Sequence, residues 1–229
     1  MPSRRAKRSG IEREVRKHYV PHAMPIDFER VLIDAVASVG PKVASLPRLN
    51  LGCGRDQRGG YVNLDLVPLA GVDVAASLGT TALPFREKTF GVVVCRDILE
   101  HVDVVPALRD LYRITAPGGR VIVSAVHFTS RNLYADPTHI RGFSVRTLEF
   151  FAEGDEREWR RPYYFEFAFG SITYTAIQFG ATLGKGRFLV WDRLVEPCVN
   201  ARRFTQDLYE MTGASRIFPA ANVVAVLQR

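Results

Sequence analysis

Short aliphatic runs, set apart by glycine turns and one clear helical period, limit what this chain can fold into more than any other feature. Leu49-Asn50-Leu51, Tyr61-Val62-Asn63-Leu64-Asp65-Leu66, Gly91-Val92-Val93-Val94-Cys95 and Val121-Ile122-Val123-Ser124-Ala125-Val126 read as buried strands. Between the third and fourth runs, residues 102–114 place Val105, Leu108, Leu111 and Tyr112 at helical spacing, and Pro117-Gly118-Gly119 closes the segment. A further amphipathic helix is predicted over residues 27–39, where Phe28, Val31, Leu32, Ala35 and Val36 share a face and Gly40-Pro41 stops it. Strands joined by helices imply the α/β class, a doubly wound, mostly parallel sheet with flanking helices and ligands beyond the carboxyl ends of its strands. Residues 55–60 are too few for the usual crossover helix. The first crossover helix is therefore expected to be clipped, with the N-terminal helix covering the flank this leaves open.

The last third is less regular. Residues 162–175 are aromatic and partly alternating, which suggests a strand or hairpin; residues 195–211 turn helical in their later part; residues 221–227 read as a closing strand. A chain of 229 residues buries one large core more readily than two. One domain is expected over 26–229, with a cofactor-binding core at 48–126 and acceptor-side elements at 127–229, after a basic arm at 1–25. No apolar run approaches the ~20 residues that span a bilayer. No apolar stretch follows Met1-Pro2-Ser3-Arg4-Arg5, so a secretory signal is not expected and a cytoplasmic location is. Cys53, Cys95 and Cys198 are odd in number and lack C-x-x-C spacing, which favours reduced thiols over disulfides or a thiolate zinc site.

Net charge is +7, and residues 1–20 hold seven basic residues against Glu12 and Glu14, so most of the excess sits at one end. Such an arm attracts nucleic acid or an anionic substrate through its field, or is a solvated terminus. Trp159, Tyr163, Tyr164, Phe165 and Phe167, with Arg157, Arg160 and Arg161, form either an acceptor wall or packing for the core or a homodimer interface.

The chemistry begins at Gly52-Cys53-Gly54, where two glycines at a strand end let the backbone approach a ligand without Cβ interference. The third glycine of a dinucleotide fingerprint would fall at Gln57, which argues against pyrophosphate binding. Asp65 ends the next strand, where a carboxylate can accept hydrogen bonds from both hydroxyls of a ribose. Leu83-Pro84-Phe85, Leu99-Glu100-His101 and Pro117-Gly118-Gly119 complete an ordered series.

That series, over about residues 48–126, resembles the class I S-adenosylmethionine-dependent methyltransferases. The resemblance implies that Gly52, Cys53 and Gly54 cradle the methionine and ribose of S-adenosylmethionine, that Asp65 holds the ribose, that Leu66 flanks adenine, and that Cys95, Arg96 and Asp97 line the methionine side. Two departures stand out. The family's motif acid is Asn50 here, which hydrogen-bonds without adding negative charge, and the acid before Leu83-Pro84-Phe85 is replaced around residues 77–82.

Methyl transfer is an in-line displacement at an activated carbon, so the protein must orient the acceptor and take its proton. His127, Asp136 and His139 follow the carboxyl end of the strand at 121–126 and are the catalytic candidates; backbone hydrogen bonding by the histidines and a simple turn at Asp136-Pro137 are the alternatives. Asp97, Asp136 and His139 are candidate ligands for Mg2+, as oxygen and imidazole donors permit. His101 and Glu100 belong to the family's common turn and are expected to be structural. The string Asp136-Pro137-Thr138-His139-Ile140-Arg141 resembles a bacterial subgroup that modifies sugars and polysaccharides, which implies O-methylation of a hydroxyl on a small-molecule or oligosaccharide acceptor. An RNA methyltransferase using the basic arm, or a non-catalytic cofactor-binding module, are the competing readings.

Overall fold

Alternation of side chains along the central strands decides how this chain layers, because successive residues of a strand face opposite sides. In the computed structural model, which describes residues 26–153, 165–180, 182–183, 186–187 and 191–229, Val92 and Val94 face one layer while Val93 and Cys95 face the other. Helix α1 (Phe28–Ala37) buries Phe28, Val31, Leu32 and Ala35 on the first face against Val92, Val94, Ile122, Val224 and Val226. Its start is fixed by Asp27, whose side chain accepts the Glu29 N–H. A short helix α2 (Pro41–Ala44) follows and leads into β1 (Arg48–Leu51).

The remaining strands are β2 (Val62–Asp65), β3 (Val74–Ala75), β4 (Phe90–Arg96), β5 (Thr115–Val126), β6 (Ser171–Gln178), the small pair β7 (Thr182–Leu183) and β8 (Gly186–Arg187), and β9 (Asn222–Gln228). The main sheet runs β3-β2-β1-β4-β5-β9-β6. Pairings from β3 through β5 are parallel; β9 lies antiparallel between β5 and β6. Helix α3 (Val104–Ile114) covers the second face with Val104, Ala107, Leu108, Leu111 and Ile114, each buried. Burying each of the larger aliphatic and aromatic side chains contributes about 1.5–3 kcal/mol, so each face of the sheet carries its own packed cluster.

Several expectations are sharpened. The helix expected from residue 102 starts after its Asp103 cap, and Pro117-Gly118-Gly119 lies inside β5 rather than in a loop. The C-terminal strand does not close an edge; it is inserted beside β5. In the aromatic region the strand begins at Ser171, while Phe165, Phe167 and Phe169 pack together around Phe151 and Tyr112 instead of alternating across a sheet. The expected acceptor wall therefore loses Phe165 and Phe167 to the core; Arg157, Trp159, Arg160, Arg161, Tyr163 and Tyr164 lie outside the described residues, as does the basic arm at 1–25. Helix α4 (Asn132–Ala135) sits in the loop after β5, and α5 (Glu196–Val199), α6 (Arg203–Met211) and α7 (Ala214–Ile217) precede β9. Among the described residues no helix is long and apolar enough to cross a membrane.

Candidate active site

β1 and β4 are sheet neighbours but not sequence neighbours, so the chain departs in opposite directions from their carboxyl ends and leaves a crevice there. Its volume is about 340 Å³, and Asn50, Gly52, Cys53, Asp56, Arg96 and Asp97 line it. Gly52 and Gly54 have φ of +64° and +48°, conformations that disfavour a side chain. A Cβ on Gly54 would project into open space, whereas one on Gly52 would lie 2.1 Å from the Ile98 side chain. The turn thus leaves open space on the Gly54 side while Ile98 packs against Gly52.

Between β1 and β2, residues 52–61 contain no helix at all. The clipped crossover is a loop, and two asparagines hold it. The buried Asn50 amide donates to the Asp56 carbonyl at 2.8 Å and to Asn63 Oδ1 at 3.0 Å. Asn63 also accepts the Arg58 N–H and donates to the Arg58 and Tyr61 carbonyls. This explains the departure at the motif acid: a carboxylate at position 50 could make neither donation.

Asp65 holds the other side of the turn, with one oxygen accepting Gly54 N–H at 2.8 Å and the other accepting Val67 N–H at 3.0 Å. Leu66 beside it is 68% exposed, presenting an apolar surface next to that carboxylate. On the flank opened by the missing helix, Glu29 of α1 binds Arg58 through two 2.7 Å hydrogen bonds and reaches Arg96 at 3.4 Å. The Arg58 hydrogen bond, followed by the Coulombic pull of Arg58 and Arg96, holds the Glu29 carboxyl below its ordinary value despite partial burial. Arg96 lies over the Phe28 ring at 5.2 Å. The first turn of α1 thereby takes the place beside the crevice that the absent helix leaves.

Cys95 is fully buried with its side chain in the core, and burial drives its thiol pKa far up; it is not part of the crevice lining, which takes in its neighbours Arg96 and Asp97 instead. Cys53 is also buried, its thiol raised by burial and by Asp65. Asp97 has a φ of +54° and accepts from Ser124 Oγ at 2.9 Å and Asn222 Nδ2 at 2.7 Å, joining the ends of β4, β5 and β9. Those bonds hold Asp97 away from the set expected to share a metal with it.

The histidines separate sharply. His127 is sealed within the protein: Nδ1 accepts the Thr129 N–H at 3.1 Å, so Nε2 carries the proton and donates to Glu210 Oε1 at 3.2 Å. Both nitrogens are committed, and His127 anchors α6 to the end of β5 instead of facing an acceptor. His139 meets Asp136, as expected, but also His101, with the imidazole centroids 4.6 Å apart. One donor atom from each of His101, Asp136 and His139 falls within 4.8 Å of the others. His101 escaped the sequence reading because 38 positions separate it from His139 and its own surroundings match a common structural turn. Beside it, Glu100 is buried with its pKa raised to about 7 by desolvation, and its backbone carbonyl accepts the Ile140 N–H, which ties this turn to the loop after β5.

Comparison with known proteins agrees with this geometry. Residues 49–123, spanning the glycine turn, Asp65 and the crevice, match the model of the methyltransferase domain family. The solved S-adenosylmethionine-dependent methyltransferase of Archaeoglobus fulgidus superposes with a TM-score of 0.53 at 17% identity, covering 89% of this chain and 95% of that one. The fold is thus that of the Rossmann-like methyltransferases. Among curated proteins, an uncharacterized protein of Methanocaldococcus jannaschii is 32% identical over 72 residues, 28% of this chain and 32% of that protein. The demethylmenaquinone methyltransferase of Streptomyces griseus is 48% identical over 42 residues, 18% of each chain. The chain therefore matches about a third or less of either curated relative's length.

Proposed function

We propose that this protein is an S-adenosylmethionine-dependent methyltransferase acting on a hydroxyl of a small molecule, with a sugar or oligosaccharide as the leading acceptor class. The observation that carries the reading is the crevice at the β1–β4 switch point, with the Gly54 turn held against Asp65 and Arg96 at its rim. The donor fits these groups. Open space above Gly54 admits its backbone-facing portion, the Asp65 carboxylate suits ribose hydroxyls, exposed Leu66 suits adenine, and the Arg96 guanidinium suits the methionine carboxylate.

Bound there, S-adenosylmethionine would supply a methyl group already activated by its sulfonium, and the part left to this chain would be to hold an acceptor oxygen in line with that carbon and to take the acceptor's proton. Orientation supplies much of the rate. The His101–Asp136–His139 group, on the turn after β4 and the loop after β5, stands on the carboxyl side of the sheet where an acceptor would meet the methyl group. The basis for a hydroxyl acceptor is this group: an alcohol is a poor nucleophile that needs a base or a metal.

Calorimetry with S-adenosylmethionine and S-adenosylhomocysteine tests the donor site, and binding of neither overturns the reading. Radiolabelled methyl transfer into fractionated cell extract tests the acceptor. Label in carbohydrate is the expected result, and label confined to RNA, lipid or protein replaces the acceptor class.

A further inference from the structure

We propose that His101, Asp136 and His139 form a binding site for a divalent first-row transition ion, two imidazoles and one carboxylate on one side of the metal with positions left open for an acceptor oxygen. The evidence lies in the partners of the three residues. Thr138 Oγ1 donates its proton to Asp136 Oδ1 at 2.6 Å, so Thr138 Oγ1 can only accept from His101 Nδ1, 2.9 Å away. His101 is therefore the Nδ1–H tautomer, and its Nε2 lone pair is free. His139 Nδ1 faces the Asn132 carbonyl at 2.9 Å, an acceptor only, which fixes the same tautomer. Its Nε2 lies 3.8 Å from Asp136 Oδ2. Asp136 Oδ1 is already held by the Thr138 N–H and hydroxyl, leaving Oδ2 available.

One ligand atom of each residue lies within 4.8 Å of the others, and each residue has a second polar atom tied down by a fixed neighbour. Metal-ligating histidines are oriented in this way, through the ring nitrogen that does not touch the metal. The donor set also selects the metal. Mg2+ prefers oxygen ligands, whereas two imidazoles with one carboxylate suit zinc, iron, cobalt or manganese. The expected Mg2+ set of Asp97, Asp136 and His139 is replaced by one in which His101 stands in place of Asp97, which Ser124 and Asn222 hold at the ends of β5 and β9.

The role of the ion in catalysis rests on the methyltransferase reading: an acceptor hydroxyl drawn to the open positions loses its proton to solvent more readily, and its oxygen then takes the methyl group as described. The existence of the site does not depend on that reading.

The test is titration of the full-length protein with Co2+, followed by visible absorption and calorimetry, with S-adenosylmethionine binding measured separately so that a failure of the donor site is recognised on its own. One equivalent of Co2+ should bind with a ligand-field band, be displaced by Zn2+, and be unmoved by equimolar Mg2+. His101→Ala, Asp136→Ala and His139→Ala should each weaken Co2+ by more than about 100-fold, and Thr138→Val, which removes only an orienting group, by about 10–100-fold. Thr138→Ser and Asp97→Asn should bind Co2+ like the parent. Circular dichroism identifies any ligand variant that does not fold, and Thr138→Val, Thr138→Ser and Asp97→Asn then decide the matter. No Co2+ band, displacement by equimolar Mg2+, or Co2+ affinity unchanged in the folded ligand variants or in Thr138→Val overturns the site.

Discussion

Gly52 shows how one residue can be required twice over. Its positive φ disfavours any side chain, and a Cβ there would overlap Ile98 Cδ1 at 2.1 Å, while Ile98 Cβ would remain at an ordinary 3.5 Å. Gly52→Ala should therefore destabilise by about 1–2 kcal/mol for the backbone and about 1–3 kcal/mol for the clash. In the Ile98→Ala background only the backbone part should remain. A double-mutant cycle by urea denaturation measures this, and strictly additive losses would show that Ile98 is not the obstacle. Glu210 gives the residue-scale pH dependence. Burial raises its pKa, but hydrogen bonds from His127, Ser144 and the Val145 N–H outweigh that and hold it below the ordinary 4.5. A depressed carboxylate contributes stability above its unfolded value, and loses it as pH falls below about 4.5 through the folded value. Glu210→Gln should destabilise by about 1–3 kcal/mol at neutral pH and by less once the pH is low enough to protonate Glu210 in the folded protein. A gap of the same size in both conditions would assign the effect to packing.

At the scale of elements, the loop over residues 52–61 connects parallel neighbours without a helix at the edge of the crevice. Its order depends on Asn63, whose side chain makes four hydrogen bonds to Asn50, Arg58 and Tyr61. Asn63→Ala should cost about 2–4 kcal/mol, because it leaves buried partners unpaired. Hydrogen exchange should show lost protection in this loop while β4 and β5 stay protected; uniform loss across the sheet would mean that the loop is not a separate unit. The missing helix was legible because residues 55–60 are too few for one, a matter of chain length alone. The compensating pair of Glu29 and Arg58 was not legible, because nothing local relates positions 29 apart on a helix and a loop. The same holds for His127 and His139. Both follow β5 and look alike in sequence, and it is Glu210, arriving from α6, that makes one a buried anchor, while the other packs against the His101 ring beside Asp136.

For the whole molecule, the alternation of strand and helix up to residue 126 was readable because each short apolar run carries its own signal. The later topology was not, since a single strand at 222–228 reads the same whether it closes an edge or, as here, inserts antiparallel between β5 and β6. That insertion matters to the site. It brings Asn222 to Asp97 and Ser124, so the end of the chain braces the floor of a crevice whose walls come from its first half. A ligand in that crevice therefore bears on the sheet rather than on one loop. S-adenosylhomocysteine at 100 times its dissociation constant should raise the stability of the whole fold by about 2.7 kcal/mol, seen as one shifted thermal transition. Asp65→Ala should abolish the shift, because it removes both the carboxylate proposed to accept from the ribose and the anchor of the Gly54 N–H. The unliganded variant should still unfold in one step, since Asp65 lies at a strand end outside the core, and Leu64 beside it remains buried. An undiminished shift in Asp65→Ala would place the donor elsewhere, and a shift confined to a separate early transition would show that the crevice is not coupled to the sheet.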